Sequence, residues 1–115
     1  MESYSTTWKR PELSAYILLY CAHANYIESP SEKELIRAKV SRSKYKTIHE
    51  EFARDNDYQC IRKIQETVAR LGLSPTEIES LIEEMRALFY SDGGFDAVEK
   101  AVFLGLRHIL ESEKE

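Results

Sequence analysis

The chain has 115 residues, 43% of them apolar and 31% charged, and its 20 acidic against 16 basic side chains leave a net charge of −4. That is the length of one domain, enough to bury a core without staples, and the acidic balance excludes a general nucleic-acid binder, which needs an excess of Lys and Arg. Two cysteines far apart, Cys21 and Cys60, without metal-type spacing, exclude a disulfide framework and read as buried, reduced thiols of a cytoplasmic protein.

Residues 1–10 form a polar lead-in without the apolar core of a signal peptide, tethered by Trp8, and residues 11–112 form the domain. Pro11 suits a first helical turn, and Leu13, Tyr16, Ile17, Tyr20, Ala24 and Ile27 follow at helical spacing. Leu18, Leu19 and Cys21 make the other faces apolar, so this helix is expected at the centre of the fold. The run Ala15 to Ala24 would span only about 15 Å, half a bilayer, so no direct membrane insertion is expected.

Ser29-Pro30-Ser31-Glu32 is a capping box with proline at the first helical position, opening a helix to about Val40 that buries Leu35, Ile36 and Val40. A third helix carries Tyr45, Ile48 and Phe52 on one face, and Asp55 or Asp57 is the expected cap of the fourth. The fourth buries Ile61, Ile64, Val68 and Leu71 and stops at Gly72, a left-handed cap. Ser74-Pro75-Thr76-Glu77 repeats the box, and Ile78, Leu81, Ile82, Met85, Leu88 and Phe89 give the clearest period in the chain. Asp96-Ala97-Val98-Glu99 opens the last helix, expected to bury Val98, Ala101, Val102, Leu106 and Ile109. Gly105 inside it costs about 1 kcal/mol relative to alanine, which a close helix approach would explain. No segment alternates with period two, so the fold class is all-α: a six-helix, single-domain bundle with a pseudo-symmetric repeat of helical hairpins.

The repeat lies in the two acidic corners. Asn25 aligns with Asp92, Tyr26 with Gly93, Ser29 with Asp96 and Glu32 with Glu99, while Leu35 and Ile36 align with Val102 and Phe103. The pattern Asp-Gly followed by Glu six residues on, between two apolar helices, resembles the tellurite-resistance TerB-like domains. The second copy keeps Asp92, Gly93 and Glu99 after Leu88-Phe89, whereas the first has Asn25 for Asp and Tyr26 for Gly. The resemblance covers about Leu13 to Leu110. It implies an all-helical domain of bacterial stress response whose paired acidic turns bind a divalent metal, and it allows a binding or scaffolding role like that of related modules in co-chaperones.

Asp92, Asp96 and Glu99, joined by Asn25, Glu28 and Glu32, form an oxygen-only set suited to calcium or magnesium, though the spacing is not that of an EF-hand. Helix capping accounts for the same residues without an ion, with Gly93 or Gly94 ending one helix, Asp96 starting the next and Glu99 reaching back.

Around residues 33–46, Arg37, Lys39, Arg42, Lys44 and Lys46 make a basic patch with Lys33 and an interleaved Tyr45. Its functional reading is an anion or partner site, for phosphate or an acidic protein surface, metal-independent and co-chaperone-like; its bland reading is a solvated face balanced by Glu32 and Glu34. His49-Glu50-Glu51 lacks the second histidine of a zinc-protease helix, and no phosphate loop or nucleophile motif is present, so no enzyme is expected.

Overall fold

The computed structural model describes residues 4–23, 29–91 and 96–112. Within them the chain forms six helices: α1 Arg10–Ala22, α2 Pro30–Arg37, α3 Arg42–Arg54, α4 Asp57–Leu71, α5 Pro75–Tyr90 and α6 Ala97–Ser112. No strand occurs among the described residues, so the all-α expectation holds.

The predicted central helix is central. Leu13, Ser14, Ala15, Tyr16, Ile17, Leu18, Leu19, Cys21 and Ala22 are all buried, and α1 packs against each of the other five helices. A helix apolar on every side has no solvated face to offer, so the remaining helices wrap it. Its N-terminal end is tied down by Trp8, which is buried with its ring 4.4 Å from that of Tyr16. The Arg70 guanidinium donates to the Trp8 carbonyl, and Thr6 and Thr67 share a 2.7 Å hydroxyl contact. The last apolar residues of the predicted series, Ala24 and Ile27, lie outside the described residues, and α1 ends at Ala22 with His23 as its C-cap.

The capping chemistry is where sequence and structure agree most closely. Ser29 with Glu32 and Ser74 with Glu77 each form the reciprocal pair of side-chain-to-backbone hydrogen bonds. The fourth helix differs from expectation. Its cap is Asn56, whose Oδ1 accepts from Gln59 N at 2.8 Å while Gln59 Oε1 accepts from Asn56 N at 2.9 Å. Asp55 closes α3, its carboxylate drawn instead to Tyr16 and Lys63, and Asp57 lies in the first turn of α4. Gly72 ends α4 at φ +61°, as the left-handed cap requires.

Helix α2 stops at Arg37, short of the predicted Val40, because Ser41 already caps the next helix. Val40 is only partly buried there, as are Tyr45, Phe52, Ile61 and Leu71, while Ile48, Ile64 and Val68 are buried. All six apolar residues named for α5 are buried.

Helix α6 is rotated from the predicted face. Its buried residues are Glu99, Phe103, Leu106 and Leu110, whereas Val98 is 53% exposed and Ala101 is exposed. The spacing 99, 103, 106, 110 is one helical stripe, and it starts from the capping-box glutamate. Phe103 anchors it edge-to-face on Phe89 of α5, with ring centroids 6.3 Å apart. A Cβ on Gly105 would meet nothing within 4 Å, so among the described residues no helix approaches closely at that position and that expectation fails.

Candidate functional site

At the second acidic corner Asp96 N donates to Glu99 Oε1 at 3.0 Å and Glu99 N donates to Asp96 Oδ1 at 2.8 Å. At the first, Ser29 N donates to Glu32 Oε1 at 2.9 Å and Glu32 N to Ser29 Oγ at 3.1 Å. Each corner therefore engages its glutamate and its cap in helix initiation. Both glutamates are also buried, Glu32 to 3% exposure and Glu99 to 7%, while Glu77 in the same role is exposed. Burial likewise matches along the aligned helices: Ile36 and Phe103 are buried, Leu35 and Val102 partly so. The likeness does not extend to length, since α2 has 8 residues and α6 has 16. Asn25, Glu28 and Asp92, the other three predicted ligands, lie outside the described residues. Among the described residues no group of three or more His, Cys, Asp or Glu is placed to hold a metal ion.

Cys21 on α1 sits close enough to Glu32 to feel its charge. Burial pushes the Cys21 thiol well above its usual range, and the Glu32 carboxylate adds to the shift. Both cysteines are buried free thiols.

The basic patch divides in the structure. Lys39 turns towards α5, with Nζ 3.6 Å from Glu84 Oε2, and Lys44 lies exposed on α3 away from the other cations. Arg37, Arg42 and Lys46 converge with Lys33, Tyr45, His49 and Glu50 on a groove of about 730 Å³ between α2 and α3. An adjoining hollow of about 430 Å³ shares Arg37, Arg42 and Tyr45 with Glu34 and Ala38. The Arg37 guanidinium stands over the Tyr45 ring at 6.0 Å, and the rings of Tyr45 and His49 are 5.6 Å apart. From His49 the aromatic contact continues to His23 at 6.3 Å and on to Phe52 at 4.9 Å.

The helical register produces this convergence. Residues 42, 45, 46 and 49 share one face of α3, and 33 and 37 share one face of α2. His49 was not singled out as a groove residue from sequence, although this i, i+3, i+4, i+7 spacing from Arg42 was the available signal. Lys44 is off that face and Lys39 lies beyond the end of α2, which explains why they separate.

None of Lys33, Arg37, Arg42 or Lys46 forms an ion pair among the described residues. Glu32, expected to balance them, is buried in its capping box. Elsewhere cations find acids: Arg62 with Glu66 at 3.1 Å, Arg86 with Glu83 at 3.6 Å and Arg107 with Glu111 at 3.4 Å. A second groove of about 520 Å³ runs between α2 and α5 past Glu79, Glu83 and Glu84. There Glu84 Oε2 is shared by Arg10 and Lys39, at 3.5 and 3.6 Å, while its Oε1 is buried without a hydrogen-bond partner among the described residues.

A third polar group is structural. The Tyr16 hydroxyl donates to Asp55 Oδ2 at 2.6 Å, and Cys60 Sγ lies 3.2 Å from the Tyr16 hydroxyl oxygen. Lys63 Nζ donates to that carboxylate oxygen at 2.8 Å and to Glu51 Oε2 at 2.7 Å. The network fastens α1, α3 and α4 together beneath the surface.

No family model, curated protein or solved structure matches this chain. The resemblance to TerB-like domains accordingly stands on the corner residues alone.

Proposed function

We propose that this protein is a small binding module whose docking surface is the α2–α3 groove, and that its partner offers an acidic protein segment. The observation that carries this reading is the set of cations Lys33, Arg37, Arg42 and Lys46, which form no ion pair among the described residues and gather around Tyr45 in a chain whose net charge is −4. With only Glu34 and Glu50 beside them the four cations leave an excess of positive charge, which is unfavourable and which a bound carboxylate-bearing segment relieves. The Tyr45 ring supplies apolar contact area between the charges, as aromatic residues do at interfaces. The overall negative charge repels a long polyanion, so nucleic acid is disfavoured as the partner. Buried free thiols fit a reducing, cytoplasmic setting.

The test is a titration with a fluorescent Asp/Glu-rich peptide, read by anisotropy and by amide NMR shifts. Shifts should cluster on α2 and α3, affinity should fall with salt, and Arg37→Glu with Arg42→Glu should weaken binding by about tenfold or more without lowering Tm. Shifts confined to another surface would remove the reading.

A second reading rests on the burial of Glu32 and Glu99, which capping alone does not require, as exposed Glu77 shows. In it the acidic corners hold calcium or magnesium, as in a TerB-like module of a stress response, with Asp96, Glu99 and Glu32 joined by Asn25, Glu28 and Asp92. Melting with and without metal tests it.

A further inference from the structure

Resting on the reading of the α2–α3 groove as an acid-binding surface, we propose that its seat at Arg37, Tyr45 and Arg42 takes a phosphate monoester carried on the partner's protein segment. These three residues line both adjoining hollows, so arginines from two helices border the same space. A guanidinium presents a planar fork of N–H donors, and two forks meet the oxygens of a tetrahedral dianion better than those of a single carboxylate. A phosphorylated side chain brings three acceptor oxygens and a charge of about −1.5 to −2, which matches the excess of cations here. Lys33 and Lys46 add point charges on either side of the seat.

Helix α3 reinforces the choice. Its first turn contains no acidic residue and begins with Arg42, whereas α1, α2, α4, α5 and α6 carry Glu12, Glu32, Asp57, Glu77 and Glu99 there. Ser41 Oγ caps this end by accepting from Lys44 N at 3.3 Å, and no carboxylate of the first turn offsets the positive end of the dipole beside the groove. Glu34 and Glu50 line the two hollows beside the cations and limit the positive field to a short stretch, suiting an isolated phosphate on a peptide better than a nucleic-acid backbone.

The experiment compares three labelled peptides of one Gly/Asp sequence with phosphoserine, glutamate or serine at the centre, bound to the full chain at about 150 mM salt. The phosphoserine peptide should bind about tenfold tighter than the glutamate peptide. Arg37→Lys with Arg42→Lys, which keeps the charge and removes the forks, should abolish that preference while Tm stays unchanged. Equal affinities for phosphoserine and glutamate would overturn the phosphate seat and leave the acidic-segment reading standing. Absence of binding by all three would overturn both. Tighter binding to single-stranded DNA, or to phosphatidylcholine vesicles doped with phosphatidylserine, would overturn the proposal in favour of those ligands.

Discussion

Glu32 and Glu77 make the same hydrogen bonds at the starts of α2 and α5, yet Glu32 is buried and Glu77 is exposed. For Glu77, hydrogen bonds from the Ser74 backbone and side chain hold the carboxyl below its usual range. Burying a carboxylate costs free energy unless its oxygens are partnered, and Glu32 accepts from the Ser29 N–H while its charge sits at a helix N-terminus. Removing it leaves that N–H unpaired inside the protein. Glu32→Ala should therefore destabilise the fold by about 1–2 kcal/mol, more than Glu77→Ala does, measured by urea denaturation. The same variant decides the question of an ion. If capping is the whole role of Glu32, millimolar calcium or magnesium leaves Tm unmoved in both forms. If the corner holds a cation, metal raises the wild-type Tm, by about 2.7 kcal/mol of stability at a hundred times Kd, and Glu32→Ala removes the rise.

At the scale of helices, α5 and α6 show what apolar spacing reveals. In α5 most outward positions are polar, Ala87 and Tyr90 apart, so the stripe from Ile78 to Phe89 stands out and all six residues are buried. In α6, Val98, Ala101, Val102, Phe103, Leu104, Leu106 and Ile109 surround most of the helix, and period alone cannot choose among its faces. The buried stripe is set by Glu99 and by Phe103 meeting Phe89, a tertiary fact. Leu104 is left 50% exposed. The site was legible to the same degree. Basic residues 33–46 were visible as a run, but with α2 ending at Arg37, Lys39 reaches Glu84 and Arg37 lines one groove with Arg42. Gly105 offers a clean test of α6, because a Cβ there meets open space and alanine lowers the entropy of the unfolded chain. Gly105→Ala should stabilise the protein by about 0.4–1 kcal/mol, seen as a higher Tm, with peptide binding at the α2–α3 groove unaltered.

For the molecule as a whole, the groups that burial perturbs most all point in one direction with pH. Burial raises Tyr16, Tyr20, Cys21 and Cys60, assisted at Tyr16 by hydrogen bonding to Asp55 and at Tyr20 by the charge of Asp57. Lys63 is also raised: burial pulls it down, but hydrogen bonds from Lys63 to Asp55 and Glu51 outweigh that. A group whose folded pKa exceeds its unfolded value contributes stability that is complete below the unfolded pKa and is lost as pH climbs through the folded one. In the unfolded chain the thiols release protons near pH 8.5 and the phenols near pH 10, whereas in the fold they hold them, so deprotonation favours unfolding. Stability should thus be level through neutrality and begin to fall at about pH 8.5, more steeply above about pH 10. Because Tyr16, Asp55, Cys60 and Lys63 join α1, α3 and α4, the loss should be one cooperative transition, with helicity by circular dichroism and tyrosine fluorescence changing together. Cys21→Ala with Cys60→Ala should remove the onset near pH 8.5 and leave the fall above pH 10, which separates the thiols from the phenols. An onset unchanged in that double variant would mean that the thiols do not set the alkaline limit of the fold.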